Sequence, residues 1–599
     1  MNINLDNHDS PRFLLNYDFT SRSLDVLESN VYPSPLQSKR DEYTVFVIGS
    51  PILNNKVNKN KILLDLLEAK HIESNYIKSL DGEFLLILVN HKNNTLEVAN
   101  DRFTSFPIYY HHDDSSVTIS YSYLDIAKVV SQKKDFKIRN EILFEFLWFR
   151  RVFNESTYDT KTLFLKPARI IKLSTHGKDE YVYWKPNFIK NSNSLSENSA
   201  ILSDLISSSL EKKNSDLIGN RTGLFLSGGM DTRTVLAAFC KSNNLPECLT
   251  VGYSQYGEYE VAKLLTNKLD TKHHFIHIPE NYNDTNWSEK LHLTGGMYNQ
   301  FSPIFSGNRD KISPIADVFF HGHGLDYMFQ GMYLPSRPIR LFGKNTYYKK
   351  IIDINKIDNF SEYFARNIAF RTWKVDLEDY LLPEYKEEMF GGLVSRLDKI
   401  LDEGSNICND NFDMWEYFMT HTPSRHYSQP DVISMSTNGE QRKVANDNDL
   451  FNFYFSLPLQ HRLYARVMRG ALRNLSPSFA NIISANTRYK IDATPTQLTT
   501  HFAIYKAMRG ITNNKRYSHP SAEDRTWADD DIEVRIRPRL NKHVANLSNS
   551  EYLHEYMPFF DFDLLKRKTK YWVEGNNPGG GLFLTSLLTI ENLLKEIYD

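Results

Sequence analysis

Apolar and polar residues alternate with a period of two along much of residues 1 to about 190. The pattern is carried by Tyr43-Thr44-Val45-Phe46-Val47-Ile48, residues 83–89, Leu96-Glu97-Val98-Ala99, Pro107-Ile108-Tyr109-Tyr110, Val117-Thr118-Ile119-Ser120 and Ala168-Arg169-Ile170-Ile171-Lys172-Leu173. Short runs of this kind, rich in β-branched and aromatic residues, predict a domain of antiparallel strands. The polar stretch Asn191-Ser192-Asn193-Ser194-Leu195-Ser196-Glu197-Asn198 predicts a linker, with a helix beginning near residue 199. Beyond it the rhythm changes. Residues 223–226, 249–253, 274–278 and 317–320 form short apolar runs, separated by helical stretches such as 234–239 and 259–269. Strands alternating with helices predict an α/β domain whose parallel sheet is covered on both faces. From about 334 to 430 aromatics recur at helical spacing, as in Phe360-Ser361-Glu362-Tyr363-Phe364 and Trp415-Glu416-Tyr417-Phe418. These predict packing helices and carry no chemistry.

Composition narrows the class without naming a function. At 599 residues the chain exceeds a single core, so two or more domains are expected. Apolar and charged fractions of 41% and 24% are those of ordinary globular proteins. A net charge of −2, with Lys and Arg dispersed, predicts neither a nucleic-acid nor a membrane partner. The first ten residues have no basic region or apolar core, so no signal peptide is expected, and apolar runs such as 84–89 are strand-sized. Cys240, Cys248 and Cys408 have no metal-ligand spacing. This predicts no disulfide framework or structural zinc, and a reducing cytoplasmic setting.

The candidate chemistry lies in two loops. After the apolar run 223–226 comes Ser227-Gly228-Gly229-Met230-Asp231-Thr232, leading into a helix. A glycine-rich turn at a helix N-terminus offers backbone N–H groups to an anion, and adjacent glycines let phosphate oxygens come close. An aspartate in such a turn repels phosphate unless a divalent cation stands between them, so Asp231 predicts magnesium. The competing reading is a tight turn with a capping Asp. The run 317–320 leads likewise into His321-Gly322-His323-Gly324-Leu325-Asp326. Asp231 and Asp326 are thereby expected just past the carboxyl ends of two parallel strands, where open α/β sheets bind ligands.

These residues resemble the synthetase domain of asparagine synthetases and their relatives, the β-lactam synthetases and lasso-peptide cyclases. Ser227 to Thr232 is similar to that family's pyrophosphate loop, Ser-Gly-Gly-x-Asp-Ser, with Thr in the last place. Gly322-His323-Gly324-Leu325-Asp326 is similar to its Gly-Glu-Gly-x-Asp loop. Glu440-Gln441-Arg442 with Asp447, and Arg488-Tyr489-Lys490, resemble two further family stretches. In the first half, Leu80-Asp81-Gly82-Glu83-Phe84, Asn100-Asp101-Arg102-Phe103, Thr162-Leu163-Phe164 and Tyr183-Trp184 resemble an N-terminal-nucleophile glutaminase domain. The implied architecture is an α+β glutaminase-like domain over 1–190, then an α/β ligase domain of the adenine nucleotide α hydrolase type over 199–599, with an insertion at about 334–430.

The resemblance implies ATP and magnesium as cofactors and a two-step amide synthesis through an acyl-adenylate. Ser227, Gly228, Gly229 and Thr232 would hold the pyrophosphate, and Asp231 and Asp326 the magnesium. Leu226, Val251, His321 and Gly322 would surround the adenosine. His323 would be the base that deprotonates the attacking nitrogen, since an imidazole titrates near neutrality. Lys490 would stabilise charge on the adenylated carbonyl, a solvated surface lysine being the alternative. The substrates implied are a small-molecule or peptide carboxylate and an amine or ammonia, and a homodimer is an admissible assembly.

The departures also inform. The family's glutaminase needs a cysteine directly after the initiator methionine; here that place holds Asn2, and no cysteine precedes Cys240. Ile48-Gly49-Ser50-Pro51 stands where the family holds glutamine through Asn-Gly-Glu. Glutaminase activity is therefore expected to be lost. A lasso-type peptide macrocyclase and a nucleotide-binding scaffold without turnover are the alternatives to a small-molecule ligase.

Overall fold

The computed structural model describes residues 12–30, 34–217, 219–241, 245–255, 257–372, 375–511, 530–573 and 580–599; Asn2, on which the glutaminase expectation turns, lies outside them. The first half holds two antiparallel sheets. One has the strand order Leu163–Phe164, Tyr109–His112, Ser116–Ser120, Arg12–Asp18, Leu24–Ser29. The other runs Gly177–Val182, Arg169–Ser174, Thr95–Asn100, Asp81–Asn90, Tyr43–Leu53, Leu36–Arg40, with Lys56–Val57 paired to Tyr43–Leu53. Alternation sets the layers, because successive side chains of a strand point to opposite faces. In Tyr43–Leu53 the even positions Phe46 and Ile48 join Phe13, Leu15 and Ile119 between the sheets. The odd positions Val45 and Val47 meet Ile62 and Leu66 of helix Lys59–Ala69 on the other side. Each fully buried side chain of this type contributes about 1.5–3 kcal/mol, so a polar residue at Val47 would break the helical layer.

The expected strands are present, and six more join them: Arg12–Asp18, Leu24–Ser29, Leu36–Arg40, Lys56–Val57, Leu163–Phe164 and, last, Gly177–Val182. The last of these is mostly polar because it lies at a sheet edge, paired only to Arg169–Ser174. The linker expectation needs correction. Helix Leu195–Asn214 starts within the polar stretch: Ser194 accepts the Glu197 N–H at 3.2 Å, and Glu197 accepts the Ser194 N–H at 2.7 Å. This capping box satisfies two end groups that would otherwise lack partners, at about 1 kcal/mol for the cap.

The second half contains five parallel strands in the order His273–His277, Glu247–Gly252, Thr222–Phe225, Val318–His321, Glu440–Lys443. The chain winds outward from Thr222–Phe225 in one direction, then crosses back to build Val318–His321 on its other side. Helices Met230–Phe239 and Leu325–Phe329, which follow these two neighbours, pack into one core on the same face of the sheet, and a crevice lies at the carboxyl ends of the strands. Asp231 and Asp326 follow these two strands.

The aromatics at 360–364 and 415–418 pack as expected: Phe360, Phe364, Trp415 and Phe418 are core residues, and Tyr363 and Tyr417 are half-buried against them. That core is shared across the chain, since it includes helix Asn140–Phe149 and the C-terminal helix Gly581–Tyr598. Trp148 Nε1 donates to the Ala365 carbonyl at 2.9 Å. A hairpin of Ser336–Leu341 and Lys344–Ile351 precedes these helices. Its alternating cations and a proline at 338 hide it from a hydrophobic reading. No helix among the described residues is long and apolar enough to cross a membrane.

Candidate active site

The chain leaves Thr222–Phe225 through Leu226 and turns through Ser227, Gly228 and Gly229 into helix Met230–Phe239. Side-chain oxygens close the turn. Thr232 Oγ1 accepts the Ser227 N–H at 3.0 Å, Ser227 Oγ accepts the Gly229 N–H at 3.2 Å, and Glu258 Oε2 accepts the Gly228 N–H at 3.2 Å. The loop amides expected to be free are thus each engaged. An unpaired N–H in a sheltered turn is costly, and the chain supplies its own acceptors where phosphate oxygens would fit. Glu258 stands in for one of them, and burial raises its pKa.

The two loops interlock. A Cβ at Gly322 would lie 2.8 Å from Asp231 Cβ and 2.8 Å from Thr232 N, so only glycine permits the approach. Gly228 meets the same limit, 2.5 Å from Ala485 Cβ. Gln330 Nε2 donates to Asp231 Oδ1 at 2.5 Å. Burial and the neighbouring Asp326 carboxylate hold Asp231 well above the usual carboxylate range, and burial raises Asp326 as well. The two acids share one crevice, and both side chains keep partial exposure to it. Two carboxylate oxygens beside a helix N-terminus form the donor set that magnesium and a polyphosphate require, so the residues present fit both. By contrast, Asp81, Asp447 and Asp449 enclose the Lys212 ammonium, at 2.9, 2.6 and 3.1 Å, and their cation is already built in.

His321 is buried, with Nδ1 accepting the His323 N–H at 3.3 Å and Nε2 lacking a hydrogen-bond partner. Burial, with His323 and Lys443 nearby, holds it far below the usual imidazole range. His323 is pushed down to about 3 by burial and by Lys443. It is therefore neutral over the whole physiological range, unlike the near-neutral imidazole expected from sequence. Tyr327, His426, Tyr333 and Tyr427 form an aromatic wall next to it, with ring centroids 6.5 Å for His323–Tyr327 and 5.5 Å for Tyr327–His426.

The other expected residues divide. Leu226 and Val251 are 2% and 1% exposed, packed into the cores on either face of the sheet. Lys490 is exposed, at the end of a turn that begins with Ile483 and bridges back to it. That turn is tied to the first loop by Arg233, whose role no local sequence pattern signals. Fully buried, Arg233 donates to the carbonyls of Gly228, Phe479, Ile482 and Ile483 at 2.7–3.2 Å. Arg442 and Asp447 are architectural: Arg442 grips Asp216 through two nitrogens at 2.5 and 3.0 Å, and Asp447 caps helix Asn448–Ser456. Lys443, one residue beyond the recognised motif, is the cation nearest the two histidines. Its place is legible only from the pairing of His321 with Lys443 across adjacent strands.

Behind this site a cavity of about 80 Å³ reaches from Gln441 and Lys443 to Glu83, Phe106 and Tyr121 of the N-terminal half.

Comparison with known proteins agrees with the loops. Residues 219–479 match the asparagine synthase family. Over 341 residues, 52% of this chain, the sequence is 25% identical to a Methanocaldococcus jannaschii protein provisionally named asparagine synthetase 2 (glutamine-hydrolyzing), and the match spans 63% of that relative's length. The solved structures that match include the allosteric regulatory enzyme of purine biosynthesis and glutamine phosphoribosylpyrophosphate amidotransferase of B. subtilis complexed with ADP and GMP. Each is 8% identical with a TM-score of 0.19, over 45% of this chain and 74% and 85% of those chains, respectively. So slight a superposition adds nothing to what the strands themselves establish.

Proposed function

We propose that this chain, which carries an asparagine synthase domain over residues 219–479, is an ATP-dependent ligase joining a carboxylate to an amine or to ammonia. The carboxylate is activated as an acyl-adenylate with release of pyrophosphate, and the nitrogen nucleophile then displaces AMP. The observation that carries this reading is the pair Asp231 and Asp326, set after neighbouring parallel strands and held above the usual carboxylate range by burial, with their mutual repulsion acting on Asp231. A pair so placed is relieved by a divalent cation.

Each residue then has a task. Ser227, Gly228 and Gly229 exchange their side-chain acceptors for phosphate oxygens, and the Thr232 hydroxyl is released to donate. Asp231 and Asp326 hold magnesium, which when bound neutralises charge on the phosphates. His321 and Gly322 border the adenosine, with Leu226 and Val251 as the packed wall behind it. His323, already neutral, takes the proton from the attacking nitrogen, and nearby phosphate charge raises its basicity. Lys490 brings positive charge to the adenylated carbonyl. Ile48-Gly49-Ser50-Pro51, in place of the family's glutamine-holding segment, supports a nitrogen source other than glutamine. The aromatic wall of Tyr327, Tyr333, His426 and Tyr427 favours a larger acyl group, such as a peptide side chain, as the second reading.

Calorimetric titration with magnesium and ATP tests the site. Saturable binding in the wild type, lost in Asp326→Asn, is expected; equal binding by the variant would remove Asp326 from the site. Incubation with glutamine is expected to yield no glutamate.

A further inference from the structure

The hairpin of Ser336–Leu341 and Lys344–Ile351 takes no part in this chemistry. Residues 336–351 contain Arg337, Arg340, Lys344, Lys349 and Lys350 and no carboxylate, in a chain whose net charge is −2. Leu341 pairs with Lys344, leaving Phe342 and Gly343 as a two-residue turn with φ of 50° and 73°. Positive φ at both central positions is the type I′ pattern, for which Asn-Gly is the usual choice. A phenylalanine there is strained. Phe342 is 95% exposed, and its neighbour Leu341 is 58% exposed.

The base of the hairpin is firmly braced. The Tyr347 ring stacks on Phe502 at 4.9 Å, and its N–H donates to Thr499 Oγ1 at 3.2 Å. The Lys349 N–H donates to Tyr464 Oη at 2.7 Å. A braced ribbon thus presents an apolar tip flanked by Arg340 and Lys344, with Arg337, Lys349 and Lys350 nearer its base.

We infer that this hairpin docks the protein on a bilayer surface rich in anionic lipid, with Leu341 and Phe342 entering the interface, Arg340 and Lys344 lying among the headgroups, and Arg337, Lys349 and Lys350 adding attraction from farther back. Charge complementarity selects an anionic partner. The convex tip selects a soft one, because a folded protein would need a matching pocket and a nucleic-acid groove would be met by hydrocarbon where base edges call for donors. The sequence expectation of no membrane partner rested on net charge, dispersed cations and strand-sized apolar runs; a peripheral contact requires no spanning segment, and here the cations cluster.

The test is co-sedimentation of the full chain with vesicles of phosphatidylcholine alone or with about 30% phosphatidylserine. Binding is expected to the anionic vesicles only, and to weaken with salt. The double variant Leu341→Ser/Phe342→Ser should reduce it about tenfold or more, as should Arg340→Glu/Lys344→Glu. Both variants alter exposed side chains, and an unchanged unfolding midpoint would show that they remain folded. No binding by the wild type, equal binding to both vesicle types or equal binding by the variants would overturn the inference. So would retention on polyglutamate or duplex DNA without vesicle binding.

Discussion

Glu258 holds the backbone N–H of Gly228, its Oε2 3.2 Å from that nitrogen, inside the turn proposed to receive pyrophosphate. An anion thus guards an anion site, and ligand entry must displace or protonate it. Removing the charge in Glu258→Gln should tighten magnesium-pyrophosphate binding by about tenfold, roughly 1.4 kcal/mol. Burial already raises this carboxyl, and a bound phosphate would raise it further. Binding therefore takes up a proton, and wild-type affinity should climb as pH falls toward that pKa while the variant's slope flattens. Titration calorimetry at several pH values measures both effects. An unchanged or weakened affinity in the variant would show that Glu258 supports the loop and does not compete for it.

Asp326 should cost the ligand-free protein stability. A carboxylate whose folded pKa lies above its unfolded value binds its proton more tightly in the folded state. That advantage is present at low pH and is lost as pH rises through the folded pKa. Asp231 and Asp326 are both raised. Asp326→Asn is therefore expected to stabilise the magnesium-free protein by about 1–2 kcal/mol at pH above the folded pKa, with the gain shrinking as pH falls through it. Thermal unfolding across that transition reads the difference. A destabilised variant at the higher pH would contradict the electrostatic account of the pair.

Arg233 joins the first loop to the segment bearing Lys490 through four carbonyl acceptors. Lysine has no planar fork to reach them all. Arg233→Lys should lower stability by about 2–3 kcal/mol and raise KM for ATP more than it lowers kcat. Loss of kcat alone, with KM and the unfolding midpoint unchanged, would count against its role as a tether.

His323 is pushed down to about 3 by burial and Lys443. In the ligand-free protein its ring is expected to show no titration by nitrogen NMR between about pH 6 and 8, and His323→Gln is expected to lower kcat by about tenfold or more. A ring titrating near its ordinary value would contradict the environment described for it.

Sequence reading went far where chemistry is local. The continuous apolar runs within 43–48 and 83–89 mark the central strands because both of their faces are buried in layers of opposite parity. The aspartates of the two loops were legible because each directly follows an apolar strand. What escaped depends on contacts between distant segments. Glu258, Arg233 and Lys443 are unremarkable in sequence, and acquire their roles only when adjacent strands bring their helices and ends together. The start of helix Leu195–Asn214 was written locally, in Ser194 and Glu197, but serine-rich composition masked a capping box as a linker. The depressed pKa of His323 was illegible for a related reason, since its causes are burial and a lysine from another strand.

The central claim is that the crevice between Thr222–Phe225 and Val318–His321 activates a carboxylate by adenylation. The direct measurement is product analysis after incubation with radiolabelled ATP, magnesium, ammonia or an amine, and a panel of carboxylates. The expected result is AMP and pyrophosphate in equal amounts, dependent on the carboxylate and abolished by Asp231→Asn. Formation of ADP and phosphate would contradict the account.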